Sequence, residues 1–400
     1  MRNALLGLAL ALGAATSALG TGFDPETAVR VALLLGCHGA EFSPAEMAAR
    51  LPGATQGEVD SLDGGTRWRF GLANGGRIIL ERYDGQGNTS RYLAEYDTPT
   101  KEGVRPALAG VAGTTCYLES GRRLVYDAGG RATSVELLDG RFQPIGRSEL
   151  LTADPPPGRD PGGVTVAQVD TGVNYLLPEI ARQLARDPSG AILGYDYWAK
   201  DGRPFDSHPI ASPFYPERHG TMTASVLVLE APRVRLIPYR YPRPAMARLG
   251  ALVDDAAAKG ARILTLSLGS NERALWQSFA DSVRRHPEML IVVSAGNDGR
   301  DLDKDPVYPA AFALPTMLSV TSADAETGRP VSGANWGAHT VDLAVPGEHI
   351  QVIAFEGTRT SASGSSFAAP RVAALAARIS LAHPGWRANE LKAAILSRAR

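Results

Sequence analysis

Three short stretches of this 400-residue chain hold side chains suited to acid–base chemistry: Asp170 in VAQVDTGV, His219 in ERHGTMTAS and Ser366 in GSSFAAP. Each falls at the end of a predicted strand or the start of a predicted helix. Together they supply a carboxylate, an imidazole and a hydroxyl. A hydroxyl is a weak nucleophile at neutral pH and needs a base to take its proton as it attacks a carbonyl. An imidazole that does this needs a carboxylate to hold its tautomer and to stabilise the imidazolium that forms. Taken singly, each residue also has a plainer reading. Asp170 suits a turn before Thr171 and Gly172. A lone histidine more often sits on a surface or in a core than in a reaction centre. Ser366, at the start of an apolar run over 367–379, suits a helix cap. The unpaired N–H groups that favour a cap there also favour a developing oxyanion.

The order Asp, His, Ser and the residues around them resemble the subtilisin-like (subtilase) serine peptidase family, from about residue 160 to the C-terminus. VDTGV is similar to the family's aspartate motif, RHGT to its histidine motif and GSSFAAP to its serine motif. Pro370 lies four residues past Ser366, a spacing that selects Ser366 over Ser363 and Ser365. LTLSLG, 264–269, is similar to the strand that lines the family's substrate cleft. VVSAGN, 292–297, is similar to the stretch that ends in the oxyanion-hole asparagine, and VDLAVPG, 341–347, to a structural stretch shortly before the serine.

The resemblance implies an exported serine endopeptidase that acts on polypeptides without a cofactor or a bound metal. Ser366 would be the nucleophile, His219 the base and Asp170 its partner. The Asn297 amide and the Ser366 backbone N–H would hold the oxyanion; losing one such donor costs about 10²–10³ in turnover, a magnitude taken from a member of that family. Ser267, Leu268, Gly269, Ala295 and Gly296 would form small, uncharged pocket walls open to an apolar P1 side chain. Met222 stands where the family often has a second histidine, and Ser365 where it usually has threonine. The segment between His219 and the strand APRVRLIPYR is too short for the calcium loop of many relatives. Asp298, Asp301, Asp303 and Asp305 read either as hard-oxygen ligands or, by preference, as a solvated acidic loop. From another functional class, a catalytically silent binding protein of the same fold would need a broken triad or oxyanion position, and none is broken.

The elements that must position these residues follow strand–helix alternation. Strands are predicted at 164–169, 234–239, 262–268 and 289–293. Between them fall a helix with Leu249, Leu252, Val253, Ala256 and Ala257 on one face, and a second, capped by Asn271, that presents Trp276, Phe279, Ala280 and Val283. A short amphipathic helix is expected over 389–396. Strand–helix–strand at this spacing predicts parallel βαβ units, and the resemblance implies an α/β, subtilisin-like domain over 164–400, its mostly parallel sheet covered by helices on both faces. A Pro/Gly-rich linker, ADPPPGRDPGG at 153–163, marks its boundary. Residues 21–152 read as a smaller α+β domain or propeptide. Asp24–Pro25 and Ser43–Pro44 with Glu46 start two helices. Strand-like runs at 76–83, 91–96 and 134–138 alternate with DGQG, ESG, DAGG and DG turns, a series of β hairpins.

With 44% hydrophobic and 21% charged residues and a net charge of −1, nothing calls for nucleic acid or an anionic membrane as partner. Residues 1–20, MRNALLGLALALGAATSALG, have the charged start, apolar run and small residues of a signal peptide cleaved between 18 and 22. The run is too short to span a membrane, so the mature chain is expected free of it, in a periplasmic or extracellular location. The two cysteines, Cys37 and Cys116, form either one disulfide or two unpaired thiols.

Overall fold

Asp24 accepts the backbone N–H groups of Glu26 and Thr27, and Pro25 takes the first helical position, where its missing N–H costs nothing; α1 (Pro25–Cys37) starts there. Ser43 and Glu46 exchange bonds in a capping box that opens α2 (Pro44–Arg50). Both helices begin where the sequence predicts. The computed structural model describes residues 23–38, 42–62, 64–84, 90–210 and 212–398. The expected signal peptide, its cleavage site and most of the DGQG turn lie outside the described residues.

The chain divides into two units, Met1–Leu150 and Leu151–Arg400. In the first, β1 (Ala54–Leu62), β2 (Gly65–Leu72), β3 (Arg77–Asp84), β4 (Ser90–Thr100), β5 (Gly103–Ala112), β6 (Leu118–Tyr126), β7 (Ala132–Asp139) and β8 (Pro144–Leu150) pair in chain order. Every pairing is antiparallel. Helix α1 packs on β3, β4 and β5. Val29 and Leu33 meet Phe70, Ile78, Leu80 and Tyr96 in one apolar core. Glu119-Ser120-Gly121, predicted as a turn, lies inside β6. Gly121 serves packing there: a Cβ would stand 2.4 Å from the Phe142 ring. A disulfide joins Cys37, the last residue of α1, to Cys116 between β5 and β6.

The second unit contains β9 (Val164–Asp170), α3 (Pro178–Ala181), β10 (Tyr195–Asp196), α4 (His219–Glu230), β11 (Val234–Arg240), α5 (Leu249–Ala258) and β12 (Ile263–Leu266). It continues with α6 (Gln277–Arg285), β13 (Leu290–Ser294), β14 (Met317–Ala323), β15 (Leu343–Pro346), β16 (Ile350–Ile353), β17 (Arg359–Ala362), α7 (Ser365–Ala382) and α8 (Ala388–Arg398). Seven strands form one sheet in the order β10-β11-β9-β12-β13-β14-β15, parallel throughout. A sheet buried on both faces needs apolar residues at successive positions, and β9, β12, β13 and β14 are buried along their whole length. On one face Val166, Leu236, Val292 and Val320 pack with Leu227 of α4, Ala373 of α7 and Leu391 of α8. On the other, Val169, Tyr239 and Ile291 pack with Leu252 of α5 and Phe279 of α6. The subtilisin-like arrangement expected from the sequence, helices on both faces of a parallel sheet, is therefore present. The chain leaves β9 toward β11 on one side and returns to β12 on the other, so the carboxyl end of β9 is a topological switch point, where α/β sheets open a crevice.

Two local expectations are corrected. Asn271 caps no helix: a 3-10 turn, Arg273–Trp276, precedes α6, and the Asn271 amide oxygen instead accepts from Arg300. The stretch 153–163 is not a free linker. Prolines remove N–H donors but keep their carbonyls, and side chains of the second unit take these up. Tyr175 donates to the Ala153 carbonyl at 2.5 Å, and Arg186 to that of Pro156 at 2.9 Å. Asp160 in turn accepts from Arg235 Nε at 2.6 Å and from the Arg186 N–H at 2.7 Å.

The disulfide closes a loop with a sequence separation of 79. In the chain-entropy account such a loop contributes about 4.5 kcal/mol. Replacing both cysteines by serine should lower the stability of the first unit by roughly 2–4 kcal/mol. Hydrogen exchange of the β3–β5 amides in the full chain would show it, and the second unit's amides should not respond.

Candidate active site

Asp170 is the last residue of β9 and is 2% exposed. It is satisfied from three directions. The Thr171 N–H donates to Oδ1 at 2.8 Å, and Thr223 Oγ1 to Oδ2 at 2.8 Å. The third donor is His219 Nδ1, 2.8 Å from Oδ1 and 3.0 Å from Oδ2. Because a carboxylate only accepts, Nδ1 carries the proton and Nε2 is left as the acceptor. Burial pushes the His219 pKa down, but the Asp170 carboxylate outweighs it by charge and hydrogen bond. With smaller help from Glu217 and Asp206, it raises the imidazole to about 9.

His219 is the first residue of α4. Next to it, a Cβ on Gly220 would stand 2.0 Å from the Gly172 carbonyl oxygen, so only glycine lets the helix start pass this close to the end of β9. Met222 packs with Val226, Val352 and Phe367 in a small apolar cluster, which accounts for a thioether at that position.

Ser366 is the second residue of α7 and half-buried. It is not a cap: the N-cap is Gly364, and no side chain of its own caps the helix. The capping acceptor is Asn297 Oδ1, which takes the Ser365 N–H at 2.9 Å. That bond commits the carbonyl end of the Asn297 amide and leaves its NH2 end as the donor. Gly364, at φ 123°, lies against this amide, and a Cβ would come within 3.1 Å of Oδ1. Ser365 is fully buried and its Oγ accepts the Gly296 N–H at 3.1 Å, a role its hydroxyl shares with threonine's. Pro370 lies inside α7 and cannot donate to the carbonyl four residues back, which belongs to Ser366. Ser267 Oγ supplies the missing bond at 3.0 Å.

The structure thus brings Asp170 and His219 into direct contact. It sets the His219 ring beside Phe367, the neighbour of Ser366, with ring centroids 5.7 Å apart. It joins Asn297, Gly296 and Ser267 to the first turn of α7. Ser267, Leu268 and Gly269 follow β12, and Ala295 and Gly296 follow its neighbour β13. Two of these expected wall residues have their side chains otherwise engaged: Ala295 is buried in the core, and Leu268 packs against the same core.

The four aspartates disperse into separate bonds. Asp301 pairs with Lys304, and Asp298 and Asp305 with Arg300; Asp303 accepts from His339 and Thr340 N–H groups. Among the described residues no three His, Cys, Asp or Glu side chains gather closely enough to hold a metal ion.

Several positioning contacts were not read from the sequence. Gln168 Nε2 donates to Thr223 Oγ1 at 2.8 Å, and buried Asn335 accepts the N–H groups of Asp298 and Arg300 at 2.9 Å each, holding the loop that carries Asn297. Asp206 is fully buried beside Thr171 and Thr221. Burial raises its pKa to about 6 against the pull of both threonines. Thr171 adjoins Asp170, and Thr221 and Thr223 lie two and four residues past His219, so motif proximity points to them; Asp206 and Asn335 carry no local signal.

A model of the Subtilase family of peptidases matches residues 162–400. A thermophilic serine proteinase of Bacillus sp. (strain AK1) is 29% identical over 248 residues, 58% of this chain and 55% of that protein. Thermitase of Thermoactinomyces vulgaris is 27% identical over 58% of this chain and 80% of its own length. The aligned segment therefore spans little more than half of the first relative and four-fifths of the second. Among solved structures, a cold-adapted subtilisin-like serine proteinase is 24% identical over 61% of this chain and 84% of its own, with a TM-score of 0.48.

The His219 environment has a measurable consequence. Its folded pKa, about 9, lies above the unperturbed value of about 6.5, so its stability contribution is full below the latter and is lost as pH rises through the former. NMR titration of the imidazole should find that raised value. Asp170→Asn, which leaves burial as the dominant influence, should bring it below the unperturbed value.

Proposed function

Because the chain belongs to the subtilase family, we propose that it is an exported serine endopeptidase that cuts polypeptides through Asp170, His219 and Ser366. The observation that carries this reading is the hydrogen bond from His219 Nδ1 to Asp170 at the switch point of the sheet, because it leaves Nε2 free to accept a proton.

The chemistry follows from that tautomer. In the neutral form of His219, whose share grows as pH rises toward its raised pKa, Nε2 takes the proton of Ser366 Oγ as the oxygen bonds to the scissile carbonyl carbon. The carbonyl electrons move onto oxygen, where the Asn297 NH2 and the Ser366 N–H donate to them. His219 then gives its proton to the amide nitrogen as the C–N bond breaks, leaving an ester on Ser366. Water repeats the sequence, with His219 again as base, and releases the acid and the free serine. The small residues after β12 and β13 offer no charge to a P1 side chain, which favours an apolar one.

Export is supported by residues 1–20, and among the described residues no helix is long and apolar enough to cross a membrane. The first unit, with its own core and disulfide, is proposed to remain as a domain of the mature protein.

Ser366→Ala should abolish both peptide hydrolysis and labelling by a serine-directed fluorophosphonate, while the wild type is labelled at one serine. Hydrolysis surviving in the variant would overturn the assignment; a wild type that takes no label would leave the silent binding protein as the reading. Mass spectrometry of the secreted protein should find a mature start near residues 19–23. A start near 155–165 would make the first unit a propeptide.

A further inference from the structure

Neither α4 nor α7 is capped by its own N-cap side chain. For α4 the cap comes from another part of the chain. Asp206 lies between β10 and α4 and is completely buried. Its Oδ2 accepts the N–H of Thr221, the third residue of α4, at 2.8 Å, and also the Thr221 hydroxyl. Its Oδ1 accepts the Thr171 hydroxyl at 2.6 Å. Thr171 directly follows Asp170, and Thr221 lies two residues past His219. One carboxylate therefore holds both segments that carry the proposed acid–base pair.

The direction of these bonds is determined by what the hydroxyls do with their lone pairs. Thr171 Oγ1 accepts the Gly220 N–H at 2.7 Å, and Thr221 Oγ1 accepts the Asn174 N–H at 2.9 Å. Each hydroxyl has one proton, and each sends it to Asp206. Three donors thus converge on two oxygens, an arrangement that an acceptor-only group satisfies and an amide or an apolar group does not. The negative charge also sits at the positive end of the α4 dipole. Arg218, the residue before His219, donates to the Asp206 backbone carbonyl and fastens the same junction from the other side.

We propose that Asp206 is a positioning residue for the reaction: through Thr171 and Thr221 it sets the distance and angle at which His219 meets Asp170. The inference rests on the hydrolytic reading above for its kinetic arm only. It assigns Asp206 no contact with substrate.

The test compares Asp206→Asn, Thr171→Val and Thr171→Ser in the full chain, with active sites counted by fluorophosphonate titration so that misfolded molecules drop out. Displacement of a reacting group by about 1 Å costs about 100-fold. Asp206→Asn is therefore expected to lower kcat per titrated site by about 100-fold with KM changed less than about threefold. It should also shift or broaden the downfield Nδ1–H proton resonance of His219. Thr171→Val should show the same pattern, Thr171→Ser should recover most of the loss because it keeps the hydroxyl, and the double variant should be no worse than the worse single one. Wild-type kcat per titrated site in Asp206→Asn, with an unmoved resonance, would overturn the proposal. So would a loss confined to the number of titratable sites. If the wild type proves inactive, the hydrolytic reading fails on its own, and the resonance in wild type, Asp206→Asn and Thr171→Val still decides whether the clamp exists.

Discussion

The second unit depends on how two helix N-termini are satisfied. A helix begins with N–H groups that have no partner within it, and burying them unpaired costs free energy. A side chain just before the first turn can take up one of them. At α4 and α7 it does not: Arg218 and Gly364 offer no side-chain cap. Thr171 and Asp206 serve α4, and Asn297 serves α7. Each acceptor comes from a different part of the sheet's carboxyl edge, so the helices start in register with that edge or leave donors unpaired. His219 and Ser366 occupy the first and second positions of these helices, and inherit their placement from the caps.

The same accounting explains residues whose identity looks incidental. Pro370 removes a helical bond and Ser267 restores it, so a serine after β12 is tied to a proline a hundred residues later. Gly220 and Gly364 are required by close approach, to a carbonyl in one case and to the Asn297 amide in the other. Asn335, buried behind the 296–300 loop, spends both ends of its amide on backbone, donating to the Ala295 carbonyl and accepting from Asp298 and Arg300. None of these residues makes or breaks a bond in the proposed chemistry, yet each limits where a group of that chemistry can sit.

The first unit rests on different physics. Its strands pair with chain neighbours only, and its one cross-link, Cys37–Cys116, ties helix to sheet. Local hairpin signals therefore located β3, β4 and β7 and the DAGG and DG turns, but gave no range for β1, β2, β5, β6 or β8 and misplaced Glu119-Ser120-Gly121. There a glycine that looked like a turn is the space into which Phe142 packs. Packing across a sheet leaves no trace in the few residues a turn signal uses.

Much of the second unit was legible because its determinants are local. Apolar runs marked β9, β11, β12 and β13, and period-3.6 patterns marked the faces of α5 and α6. Cap chemistry did the same for α1 and α2 of the first unit, and short motifs around Asp170, His219, Asn297 and Ser366 marked the candidate site of the second, because the residues that flank a strand end or helix start are neighbours in sequence. The Asn271 cap failed because a 3-10 turn shifted the helix start, and the 153–163 stretch read as a linker because proline content shows missing donors but not which side chains answer its carbonyls. The sequence by itself determined the residue types, their order along the chain and the alternation that forces a parallel sheet. Only the tertiary structure decided that Asp206 caps a helix thirteen residues onward, that Ser267 completes a bond Pro370 cannot make, and that Cys37 meets Cys116. Those pairings join residues whose separation is set by how the chain folds back, and hydrogen-bond satisfaction in a buried place is a property of that closure, not of any stretch within it.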